Sequence, residues 1–134
     1  MVFLFTRAVL IFLVVTLSLA LSSVNGVFQT QKGIDCLNLY QVPFEDSTSA
    51  NWTSLITPYN LRLWWYPAVV TLPFTPQHVS DSVTCAAAAG LKVQAKSGGH
   101  SYASYSSGGQ NGSVIVNLQN FQSITVDNSK CHFC

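Results

Sequence analysis

Seven consecutive residues, Lys96-Ser97-Gly98-Gly99-His100-Ser101-Tyr102, concentrate the groups in this chain best suited to chemistry. A Gly-Gly pair lets the backbone take positive φ and approach a ligand closely. Successive N–H groups in such a turn form a concave anion site, suited to a phosphate or pyrophosphate. Ser97 and Ser101 add hydroxyl donors and Lys96 adds positive charge. His100 brings an imidazole to the same spot, as an acid–base group or a nucleophile. The plain alternative is a glycine-rich turn with no ligand.

The elements around this segment favour a ligand site. Ala68-Val69-Val70-Thr71-Leu72 is β-branched and bounded by Pro67 and Pro73, the pattern of a short buried strand. Thr75 as N-cap and Pro76 at the first helical position open a helix. Val79, Val83, Ala86 and Ala87 recur along it, and Gly90 ends it. His78 reads as a surface or capping residue. A second strand, Leu91–Ala95, follows at once. Strand, helix, strand is a βαβ unit, so the two strands are expected to be parallel neighbours joined by a right-handed crossover. Ligands of such folds gather at strand C-terminal ends, which is where Lys96 begins. Residues Lys96–Gly112 hold five of the chain's eight glycines, and strands are expected to resume at Ser113–Leu118 and Ile124–Val126. Residues 27–60 read as irregular, with Asp46-Ser47-Thr48-Ser49 as a loop. Trp52, Trp64 and Trp65 read as core or interface aromatics rather than a sugar platform. The fold class is α/β.

At 134 residues the chain has room for one modest domain, with 49% hydrophobic residues and only 8% charged. A net charge of +1 excludes nucleic-acid binding through a basic surface. Part of the apolar excess lies at the start. Arg7, the apolar run Ala8–Leu21 and the small or polar Ser22, Ser23, Asn25 and Gly26 follow the layout of a secretory signal peptide. Cleavage is expected after Gly26, with Ser23 as the other choice. The run is short of the roughly 20 residues a membrane span needs, so the mature protein is expected to be extracellular and free of the membrane. Asn51-Trp52-Thr53 and Asn111-Gly112-Ser113 are glycosylation sequons that suit this compartment. Four thiols, Cys36, Cys85, Cys131 and Cys134, allow three pairings. Cys36 with Cys85 is attractive because it would tie the N-terminal segment to the middle of the domain. Cys131-x-x-Cys134 raises redox exchange or half a zinc site, but no second ligand pair accompanies it, and no metal site is expected.

The stretches Tyr66–Val70, Val79–Val83 and Lys96–Tyr102 resemble the FAD-binding domain of the vanillyl-alcohol-oxidase superfamily. The likeness is nearest to secreted berberine-bridge-enzyme-like and glucooligosaccharide-oxidase-like flavoproteins of fungi, and it runs from about Cys36 to Asp127. It implies an FAD whose pyrophosphate is wrapped by Ser97, Gly98, Gly99, Ser101 and Tyr102, with Lys96 beside them. It implies that His100 bonds covalently to the flavin ring and that Cys36 and Cys85 are paired. The implied reaction is hydride transfer from a carbohydrate or other alcohol to flavin, with oxygen as acceptor, by a monomer. The division implied is a leader over 1–26, an irregular segment over 27–60, a partial PCMH-type FAD-binding domain over 61–127 and an atypical tail over 128–134. Proteins of this family are several times longer, so the catalytic groups are expected beyond residue 134. The chain as it stands is expected to be incomplete, with one helix for about four strands, an uncovered sheet face and weak FAD binding at best. The competing class is a small secreted, disulfide-linked binding or effector protein without catalysis.

Overall fold

The computed structural model describes residues 15–16 and 24–124. Most of the expected leader lies outside the described residues, as do Thr125, Val126 and the tail 128–134 with its two cysteines. Residues 24–39 form a helix, α1, where an irregular segment was expected. Its inner face is Thr30, Gly33, Ile34 and Leu37, at i, i+3, i+4 and i+7, with Gly33 and Leu37 buried. Two of those four are not apolar by type, so the helical period does not register as hydrophobicity. The helix end is also disguised, because Gln41 takes φ 55° where glycine is usual. The Gln41 and Val42 N–H groups then close onto the Asn38 and Leu37 carbonyls at 3.1 and 2.9 Å.

After α1 come β1 (Phe44–Glu45), α2 (Trp52–Ile56), β2 (Val69–Thr71), α3 (Pro76–Ala88), β3 (Val93–Lys96), a 3-10 turn over Tyr105–Ser107 and β4 (Val114–Asn117). The start of α3 follows its sequence signals. The Thr75 hydroxyl oxygen accepts from the His78 N–H at 3.1 Å, and His78 Nδ1 accepts from the Phe74 N–H at 3.4 Å. His78 is therefore a capping residue.

The four strands make one sheet in the order β1-β2-β4-β3. β2, β4 and β3 are parallel, while β1 pairs antiparallel with β2. The expected adjacency of β2 and β3 is corrected here: β4 lies between them, pairing Val69–Thr71 on one side and Val93–Lys96 on the other. Burial explains the placement. All four residues of β4 are buried, as a central strand with both faces covered requires. β3 alternates apolar residues with Gln94 and Lys96, whose polar heads suit an edge.

Both faces of the sheet carry a core, which overturns the expectation of an uncovered face. On one, Val69 and Val114 pack with Leu37 of α1 and with Cys85 and Ala86 of α3. On the other, Val70 and Ile115 pack with Ile56, joined by Trp52, Leu55 and Trp64. Trp52 and Trp64 are thus core aromatics. A disulfide between Cys36 and Cys85, with Cα atoms 5.5 Å apart, fastens α1 to α3.

Candidate functional site

The glycine-rich segment leaves the C-terminal end of β3, where the Leu118 N–H still pairs with the Lys96 carbonyl at 2.7 Å. Past this point the ladder stops. Among the described residues, none of the backbone N–H groups of residues 98–102 donates to a protein acceptor. Five consecutive residues thus offer unspent donors on a loop whose members are exposed or half-buried. Unpaired amides are costly when buried and are kept where water or a ligand can reach them.

Two glycines make this shape possible. Gly99 has φ +76°, and a Cβ there would lie 3.1 Å from the Lys96 Cε. A Cβ on Gly98 would lie 3.3 Å from the His100 Cε1, so the imidazole folds back over bare backbone. His100 is exposed, and neither ring nitrogen has a hydrogen-bond partner among the described residues. Its ring meets Tyr59 at 5.5 Å, and Tyr59 meets Tyr102 edge-on at 5.3 Å.

Lys96 has a different partner from the one its position suggests. Its ammonium donates to the Leu55 carbonyl at 2.6 Å, beneath the loop and near the C-terminal end of α2. There the carbonyl ends of a helix attract a cation. Burial lowers the Lys96 pKa from its ordinary value. Ser101 is partly occupied as well, since its hydroxyl oxygen accepts from the Tyr105 N–H at 3.3 Å. Ser97 is exposed. Beyond the loop, the Ser104, Ser106 and Ser107 hydroxyls and the Trp65 Nε1 are buried without a partner.

Asn60 is a member of the site that sequence reasoning missed. Its Nδ2 donates to the Tyr102 carbonyl at 2.9 Å, and its Oδ1 accepts from the Arg62 N–H at 3.1 Å. The turn at Asn60 has a local signature, an asparagine bonded two residues on. Its contact with Tyr102, 42 residues away, has none. The two sequons also differ. Asn51 is exposed at the start of α2 and caps nothing, whereas the Asn111 Oδ1 accepts from the Tyr66 N–H at 2.9 Å.

A mostly parallel α/β sheet with a loop of free amides at a strand's C-terminal end is the arrangement in which folds of this class gather their ligands. Comparison with known proteins makes this specific. The FAD binding domain family matches residues 67–132, and that segment belongs to it. Xylooligosaccharide oxidase of Thermothelomyces thermophilus is 36% identical over 116 residues, covering 86% of this chain and 23% of that protein. A solved xylooligosaccharide oxidase from Myceliophthora thermophila, in complex with xylobiose, superposes with a TM-score of 0.70 at 38% identity. That match covers 73% of this chain and 21% of the other. The solved glucooligosaccharide oxidase of Acremonium strictum, described as carrying 6-S-cysteinyl, 8α-N1-histidyl FAD, matches with a TM-score of 0.69 at 33% identity. It covers 72% of this chain and 20% of the other. The chain therefore spans about a fifth of the length of these relatives. Among the described residues, no helix is long and apolar enough to cross a membrane.

Proposed function

We propose that this chain supplies the flavin-binding part of a secreted oxidoreductase that oxidises oligosaccharides or related alcohols with oxygen as acceptor. The observation that carries the reading is the run of unpartnered N–H groups over residues 98–102 beside an exposed His100 with both nitrogens free. These residues fit FAD. The amides suit a pyrophosphate, as anion-binding turns do, and Ser97 and Ser101 can add hydroxyl donors. His100 is available as the covalent tether through either nitrogen, a role supported by the histidyl FAD of the glucooligosaccharide oxidase. Tyr102 extends the same surface. Lys96 acts from below, holding the loop rather than the anion. FAD, when bound, supplies the two-electron acceptor, and the protein binds and orients it. The group that takes the substrate proton is not among the residues gathered here.

Secretion is supported by the leader-like residues 1–26 and the Cys36–Cys85 disulfide, which belongs to an oxidising compartment. Asn51 and Asn111 are proposed glycan acceptors, and both are exposed.

The test is a titration of the isotopically labelled chain with FAD, followed by amide chemical shifts. FAD up to about 1 mM half-saturates even an interaction of about −4 kcal/mol. The amides of residues 98–102 and the His100 ring are expected to shift together. Shifts elsewhere with none at these residues would overturn the assignment.

A further inference from the structure

The N–H groups of the loop make no hydrogen bonds to protein, and its local bonds are those Ser101 accepts from the Ser104 and Tyr105 N–H groups at 3.0 and 3.3 Å. Its remaining order comes from contacts with another segment. A separate segment, running from the end of α2 to Asn60, touches it at three places. The Leu55 carbonyl receives the Lys96 ammonium at 2.6 Å, at the loop's entry. The Tyr59 ring lies against both His100 and Tyr102, at 5.5 and 5.3 Å. The Asn60 carboxamide donates to the Tyr102 carbonyl at 2.9 Å, at the loop's exit. That carboxamide is itself fixed, since its other end accepts from the Arg62 N–H.

From this we infer that Asn60 and Tyr59 are positioning residues for the loop, acting through Tyr102 and His100 before any cofactor arrives. The inference rests on the flavin-binding reading for its purpose and on this chain's own contacts for its substance. Asn60 spans the two elements with one hydrogen bond in each direction, so its loss frees the Tyr102 carbonyl while leaving every side chain proposed to contact flavin unaltered. Tyr59 sets where the imidazole can stand. Binding a ligand to a preformed loop avoids the ordering cost that a mobile one would incur.

The test uses the cofactor-free chain, with ¹⁵N relaxation of residues 98–102, His100 ring-proton shifts and a thermal melt. Asn60→Asp keeps the acceptor for the Arg62 N–H but has no donor for Tyr102; Asn60→Ala loses both. Tyr59→Leu removes the ring and spares Asn60. In the parent chain these amides are expected to show rigid order parameters, about 0.85, falling below about 0.6 in both Asn60 variants. Tyr59→Leu is expected to move the His100 ring protons by removing the ring current. In Asn60→Asp the melting midpoint is expected to hold, because one exposed hydrogen bond carries little global stability. FAD added to the same samples should bind about fivefold more weakly to the Asn60 variants, the scale of one hydrogen bond. Unchanged order parameters in Asn60→Asp would overturn the inference. A loosened loop in Asn60→Asp, with FAD shifting amides of the parent only outside residues 98–102, would uphold the positioning role and overturn the flavin reading instead.

Discussion

Lys96 shows how one side chain can carry out a task other than the one its neighbours suggest. Beside a glycine loop it reads as a cation for an anionic ligand; in the fold it is half-buried under Gly99 and bonded to the Leu55 carbonyl. Burial lowers its pKa from the ordinary 10.5. The unfolded chain then binds this proton more tightly than the folded one, so keeping the ammonium buried costs stability at neutral pH. Stability contributed at this site rises as pH climbs through the lowered pKa towards 10.5. Urea unfolding of the parent and Lys96→Met across that alkaline range is expected to show this rise in the parent alone. Equal slopes in the two proteins would place its origin elsewhere. Gly98, Gly99 and His100 were legible as a candidate site because their chemistry is local. Tyr59 and Asn60 were not, because a tyrosine and an asparagine in a turn acquire meaning only from the loop they meet 42 residues on.

At the scale of elements, sequence signals worked where an element ends in its own favourite residues. The helix α3 opens on Thr75-Pro76 and stops at Gly90, and both signals hold. The helix α1 hides its stripe behind Thr30 and Gly33 and its stop behind Gln41, so it read as irregular. Strand order was equally hidden, since a βαβ pattern fixes the parallel direction of β2 and β3 but not whether a later strand inserts between them. The structure separates them by burial, and that separation has a measurable consequence. Ile115 is 0% exposed in the central strand and packs with Val70 and Ile56. Ile115→Ala is expected to cost about 2–5 kcal/mol. Gln94→Ala, at the neighbouring position on the edge strand, should stay within about 0.5 kcal/mol if the polar edge is a surface. Equal losses in denaturant unfolding would contradict the order β1-β2-β4-β3.

Across the whole molecule, α1 and α3 share one sheet face and are joined by the Cys36–Cys85 disulfide, 49 residues apart in sequence. Closing a loop of that length restricts the unfolded chain by roughly 4 kcal/mol in the entropy model. The double variant Cys36→Ala, Cys85→Ala is expected to lose about that much, read as a lower urea midpoint. A loss below about 1 kcal/mol would mean that packing of α1 on Leu91 and Val69 suffices without the bond. Among the described residues the other face has no such bond, resting on Trp52, Leu55, Ile56 and Trp64 around Val70 and Ile115. The same short helix that covers this face also ends at the carbonyl that anchors Lys96. Sheet coverage and loop placement are therefore one structural decision.

By itself the sequence determined the α/β class, the helix over α3, the Lys96–Tyr102 segment as the candidate site and its likeness to FAD-linked oxidases. Each of these rests on residues adjacent in the chain, where spacing and residue type are the physical cause. Only the tertiary structure decided that β4 divides β2 from β3, that both sheet faces are covered and that Lys96 faces Leu55. It alone brought Asn60 and Tyr59 to the loop. Those outcomes depend on which distant surfaces meet when the apolar faces are buried, and burial is a property of the folded whole that no single stretch of sequence contains.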